Sequence, residues 1–236
     1  MRTPQSLRWL TAALFLLPAA VCAQNRPSRA ASGEMHLRIQ LTPSTHQRVT
    51  AVVWLEPLGD TPVLSFAPQG HYTLLQKNRT FVPHLLVVPI GSVVQFPNAD
   101  PFFHNVFSLY DGKRFDLGLY EAGSSKSVTF SSPGVSYIFC NIHPEMSAVV
   151  ISLPTPLYAI ADATSTFTIR NIPPGEYVLR LWVEGALPPA LQGLSHEVKI
   201  ARGMNDLGTK NVPIATTATH TNKFGGAYDR QPTTTY

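Results

Sequence analysis

The chain has 236 residues and a formal charge of +4, with 44% hydrophobic and 14% charged residues. That is enough chain for one or two domains with real hydrophobic cores. No long Lys/Arg run accompanies the small positive charge, so neither a nucleic-acid partner nor an anionic membrane surface is expected.

Arg2 and Arg8 form a basic start, residues 9–20 are apolar, and Val21-Cys22-Ala23 offers small residues for cleavage ahead of Gln24. Residues 1–23 therefore read as a secretory signal peptide, because the apolar run falls short of the ~20 residues that a membrane helix needs. The mature protein is expected in a bacterial periplasm or outside the cell, with no stable membrane insertion. Cleavage removes two arginines and no acid, leaving a net charge of +2. It also removes Cys22, one of two cysteines. Cys140 is then alone in an oxidising compartment, where a thiol with no disulfide partner is expected to be buried or committed to a metal.

Residues 24–33 are polar and read as a disordered leader. Residues 35–41 then alternate apolar and polar with period two, the pattern of a half-buried strand, and residues 51–55 form a second, more apolar strand closed by Pro57. Further β-rich runs fall at 85–89, 92–96, 106–109, 127–130, 137–140 and 148–153, separated by Gly, Pro, Asn or Asp turns. A second β unit starts near Pro154, with strands predicted at 158–160, 166–169, 177–182 and 196–200. About 50 residues make a small domain, so this unit should pack against the first. The expected organisation is a main domain over 34–153, a small β domain over 154–212 and a disordered tail over 213–236. No 3.6-residue apolar stripe runs over three turns, and short strands at this spacing define an all-β sandwich class.

The chemistry concentrates in residues 140–146, where Cys140, His143 and Met146 stand three apart, directly after a predicted strand. Thiolate, imidazole and thioether together form a soft donor set that favours copper over magnesium, calcium or manganese. A trigonal copper site of the blue type needs one more imidazole, and His104 supplies it from a turn-rich segment between two strands. The expected cofactor is a single type 1 copper on His104, Cys140, His143 and Met146. Phe102, Phe103 and Pro144 flank the two histidines and are candidates for an apolar patch that a redox partner would touch. His84 lies near the motif and reads as a structural or surface histidine.

These residues resemble the plastocyanin, amicyanin and pseudoazurin branch of the cupredoxins. His104-Asn105-Val106 is similar to the first-ligand motif of that group, the spacing within 140–146 is that of amicyanin, and 88–98 resembles the strand leading into the first histidine loop. The wider context, including Val53-Trp54-Leu55-Glu56-Pro57, Phe81-Val82-Pro83-His84 and Phe102 to Ser108, resembles bacterial methylamine-utilisation-like proteins. Residues 167–177 resemble the signature of a carboxypeptidase-regulatory-like domain. The resemblance implies a Greek-key cupredoxin β-sandwich followed by a small transthyretin-like or Ig-like sandwich. It also implies that the Asn105 backbone N–H points at the Cys140 sulfur while the Asn105 side chain pins the two ligand loops together. In relatives a hydroxyl often follows the cysteine and receives this contact; here Asn141 stands there.

The function expected on this basis is single-electron transfer between redox protein partners, without enzymatic turnover. Copper storage or delivery and a non-redox binding sandwich are the alternatives.

Overall fold

The computed structural model describes residues 32–44, 48–109, 112–215, 222–224 and 226. The predicted signal peptide, nearly all of the leader and most of the tail lie outside the described residues. The chain opens with β1 (Gly33–Thr42) and β2 (Ala51–Pro57). Five short strands follow: β3 (Tyr72–Thr73), β4 (Leu75–Lys77), β5 (Thr80–Val82), β6 (Leu85–Pro89) and β7 (Ser92–Pro97). Next come β8 (His104–Ser108), β9 (Phe115–Tyr120), β10 (Ser125–Phe130), β11 (Gly134–Cys140) and β12 (Ser147–Leu153). The last third holds β13 (Tyr158–Ile160), β14 (Thr166–Ile172), β15 (Gly175–Val183), the short helix α1 (Pro188–Leu194), β16 (His196–Ile200) and β17 (Gly203–Pro213).

The strands build two sandwiches, and the all-β class read from the sequence holds. In the first, a β14-β1-β17 sheet faces a β13-β2-β15-β16 sheet. Period-two alternation explains its core: Met35, Leu37 and Ile39 of β1 point inward against Val53, Leu55, Phe167, Tyr177 and Leu179, while His36, Arg38 and Gln40 point away. In the second, a β10-β7-β3 sheet faces a β6-β12-β11-β8-β9 sheet, with the β4–β5 hairpin beside them. Val94, Phe96, Val128 and Phe130 from one sheet meet Val88, Val106, Ile138 and Val150 from the other.

One boundary differs from the sequence reading. Strands β1 and β2, assigned to the main domain over 34–153, pair instead with the C-terminal strands: β1 lies between β14 and β17, and β2 between β13 and β15. The physical reason is core size. The five C-terminal strands alone would bury too little apolar surface to offset the entropy of ordering them, and the two N-terminal strands complete that core. The second sandwich accordingly runs from Tyr72 to Leu153.

The two sandwiches meet back to back. Val149, Ile151 and Leu153 point from β12 onto Val52 and Trp182 of β2 and β15. Trp182 donates its Nε1–H to the Tyr137 hydroxyl across this seam at 3.0 Å. Because Ala148 and Val150 face the other way into the core of the second sandwich, β12 is covered on both faces, and its sequence is a continuous rather than an alternating apolar run.

Candidate metal centre

Strand pairing brings the two ligand segments to one pole. β8 runs antiparallel to β11, so the start of β8 lies beside the end of β11, with Cys140 opposite Val106 and Phe139 opposite Phe107. Residues directly opposite in an antiparallel pair point to the same face, as do alternate residues along one strand. Cys140, Val106 and His104 therefore share the inward face, and all three are fully buried.

The donor atoms converge. Cys140 Sγ lies 3.6 Å from His104 Nδ1 and 3.5 Å from His143 Nδ1, and the two ring nitrogens are 3.1 Å apart. A triangle of those sides places each corner about 2.0 Å from its centre, which matches a metal–imidazole bond (~2.0–2.1 Å) and falls a little short of a metal–thiolate bond (~2.3 Å). One sulfur and two imidazole nitrogens at this spacing fit a single ion. Met146 is fully buried in the same cluster as Cys140. Its carbonyl accepts the Cys140 N–H at 3.2 Å and its own N–H reaches the His143 carbonyl at 3.0 Å, so the loop is folded tightly on itself.

His104 presents Nδ1 to the cluster because its other nitrogen is occupied: Nε2 lies 2.9 Å from Asp100 Oδ2, both side chains being buried. Sequence reasoning passed over Asp100, which reads as an ordinary turn residue in Asn98-Ala99-Asp100-Pro101. The same carboxylate caps the β4–β5 hairpin, accepting the N–H of Asn78 at 2.6 Å and of Arg79 at 3.0 Å. Both turn residues have φ of 55°, the twist a tight hairpin requires. Burial opposes ionisation of Asp100, but the Arg79 N–H, the His104 ring and the Asn78 N–H outweigh it and hold the carboxyl below the usual aspartate range.

Asn105 behaves as expected in one respect and not in the other. Its backbone N–H serves the Cys140 sulfur, and its carbonyl accepts the Asn141 N–H at 3.0 Å. Its side chain does not pin the ligand loops directly. Asn105 Nδ2 turns to Asp116 Oδ1 at 2.7 Å, and Oδ1 takes no hydrogen bond from any described residue although it is buried. The Asn141 amide oxygen takes a different donor, accepting the Lys223 N–H at 3.0 Å. From sequence alone Asp116 reads as part of a solvated turn with Lys113 and Arg114, whereas it stands on the largely apolar strand β9, and Lys223 falls in a tail read as disordered.

His104 is sealed, whereas His143 is half-buried and reaches the surface. The Phe102 ring lies 5.3 Å from the His104 ring and 5.5 Å from that of His143, with the Arg79 guanidinium 5.2 Å above it. Phe102 is thus packing for both rings more than an open patch. Phe103, half exposed, and exposed Pro144 do form a rim at this pole. Burial, the neighbouring His104 ring and the Arg79 guanidinium together push the His143 pKa down, which keeps its ring neutral and able to donate a lone pair. Burial also pushes the Cys140 thiol up, against backbone N–H groups of Asn105, Ile142 and His143 that favour the thiolate. His84 stands apart from the cluster, bonded to Glu184 at 2.6 Å and to the Ser147 carbonyl at 3.1 Å.

No family model matches the chain, and no curated protein does. Among solved structures, it is similar to a copper-containing nitrite reductase from Thermus scotoductus SA-01 (24% identity, TM-score 0.34), over 42% of this chain and 25% of the reductase. It is also similar to a purple cupredoxin from Nitrosopumilus maritimus (23% identity, TM-score 0.32), over 36% of this chain and all of that one. A reduced amicyanin variant matches at 21% identity and TM-score 0.33, over 40% of this chain and all of its own. The chain spans about a quarter of the reductase's length. Overlaps this loose fix no chemistry, which rests on the side chains described above. Among the described residues no helix is long and apolar enough to cross a membrane.

Proposed function

We propose that this protein is an exported type 1 copper protein of the cupredoxin kind that carries single electrons between redox proteins. The observation that carries the reading is the buried triangle of Cys140 Sγ, His104 Nδ1 and His143 Nδ1, with sides of 3.1 to 3.6 Å. Met146, from the same tight loop and buried beside Cys140, would offer its thioether to the same ion. A bound copper would supply a one-electron couple; the residues supply rigidity. His104 is fixed from behind by Asp100, Cys140 by its strand, and Met146 by the loop hydrogen bonds, so the donors need not move when the charge changes. The His143 edge, framed by Phe103 and Pro144, is the route to a partner. The thiol must lose its proton to bind metal, so uptake should release a proton and weaken as the pH falls.

The other sandwich, built from β1, β2 and the C-terminal strands, reads as a carboxypeptidase-regulatory-like, transthyretin-like support. Residues 167–177 span the β14–β15 turn, where buried Tyr177 donates its hydroxyl to the Pro173 carbonyl at 2.6 Å, a corner typical of such sandwiches.

Copper(II) titration followed by visible absorption and electron paramagnetic resonance tests the reading, with Cys140→Ser alongside. Wild type should turn intensely coloured and the variant stay pale; a colourless wild type rejects the copper centre. Reduction potential, self-exchange rate and transfer of Cu(I) to a chelator then separate a carrier from a delivery protein, since slow exchange with facile transfer belongs to delivery.

A further inference from the structure

Two residues follow the ligands His104 and Cys140 directly, and both are asparagine. Both are tied to the C-terminal segment. Lys223 donates its backbone N–H to Asn141 Oδ1 at 3.0 Å and places Nζ 2.8 Å from Asp116 Oδ2. The other Asp116 oxygen accepts Asn105 Nδ2 at 2.7 Å and the Gly118 N–H at 2.9 Å. A chain of contacts therefore runs Asn105, Asp116, Lys223, Asn141, joining the two ligand loops from outside. The segment is shaped for this: Asn222 Oδ1 accepts the N–H of Phe224 at 3.0 Å and of Gly226 at 3.1 Å, a local turn that presents both donors of Lys223 to one side. Its anchor is the other sandwich, since β17 ends at Pro213 and the bridge between Ile214 and Ala186 holds the chain there.

We infer that residues 222–224 form a clasp on the ligand loops, with Lys223 as a positioning residue. The clasp stands in for the direct link between the ligand loops that the Asn105 side chain does not make. It deepens the metal-centre reading, and its consequence for a bound ion rests on that reading. The contact itself belongs to the protein without metal and can be tested there. When the clasp opens, the loops loosen over Cys140 and the thiol becomes reachable.

The test is the rate at which a small maleimide labels Cys140 in the metal-free full chain, read by mass spectrometry at that residue. Lys223→Ala removes the ammonium alone. Lys223→Pro removes the ammonium and the N–H, and Lys223→Arg keeps both. The alanine variant should label about two- to five-fold faster, as loss of a partly exposed ion pair implies. The proline variant should label faster still, and the arginine variant near the wild-type rate, all at an unchanged thermal midpoint. Equal rates across the series overturn the clasp, as does an arginine variant as fast as alanine or a midpoint that falls in step with labelling. Whether the centre takes copper is read separately from the wild-type colour. An ordered labelling series with a colourless wild type would leave the clasp standing and remove the copper reading.

Discussion

Asp100 Oδ2 lies 2.9 Å from His104 Nε2, and this contact decides which ring nitrogen faces the centre. A ligand imidazole whose second nitrogen is held by a carboxylate keeps its orientation, and loss of such a partner costs about 10–100-fold in metal affinity. Asp100→Ala should lower copper affinity by that factor, measured by competition with a chelator. It should also cost about 1–3 kcal/mol in a denaturant melt, because the N–H groups of Asn78 and Arg79 lose their acceptor. Unchanged affinity would mean that packing alone fixes the ring.

The assignment of β1 to the C-terminal sandwich is open to a direct check. Met35 is fully buried among residues of that sandwich, so Met35→Ala should cost about 2–5 kcal/mol. Amide exchange should accelerate first in β1, β14 and β17 and leave β7, β10 and β11 protected. Early loss of protection at β11 would place β1 with the sandwich of residues 72–153 after all.

Local pattern was legible in the sequence and long-range pairing was not. The alternation of residues 35–41 gave a strand within two residues of its observed ends, and the spacing of Cys140, His143 and Met146 pointed to the pole where the donors converge. Which strands pair is set by the packing of side chains far apart in the chain, and nothing in 35–41 says that its neighbours are β14 and β17. The mostly exposed β17 carries too few apolar residues to announce itself. Asp100 and Lys223 escaped for the same reason: each looks like an ordinary polar residue of a turn or tail until the fold brings a partner to it.

The seam between the sandwiches should behave as one cooperative contact. Trp182 is 2% exposed and its Nε1–H is satisfied by the Tyr137 hydroxyl. Trp182→Ala should cost about 3–5 kcal/mol. A double-mutant cycle between Trp182→Phe and Tyr137→Phe should return a coupling of about 0.5–1.5 kcal/mol, measured by chemical denaturation. Additive effects would show that the hydrogen bond contributes nothing beyond burial.

His84 and Glu184 bridge the same two sandwiches, and their pairing makes the bridge pH-dependent. The hydrogen bond to Glu184 raises the His84 pKa above 6.5 against the opposing effect of burial, and the hydrogen bond to His84 lowers the Glu184 pKa below 4.5. A raised histidine stabilises fully below its unfolded value and loses that contribution as pH climbs through its folded value. A lowered carboxylate stabilises fully above its unfolded value and loses it as pH drops through its folded value. The two conditions overlap between pH 4.5 and 6.5. Both side chains are more than 40% exposed, so solvent screening keeps the effect small. The difference in thermal midpoint between wild type and His84→Ala should peak inside that window and shrink on either side. Added salt should flatten the peak, and a difference that stays constant from pH 4 to 9 would show that His84 acts through packing and its bond to the Ser147 carbonyl alone.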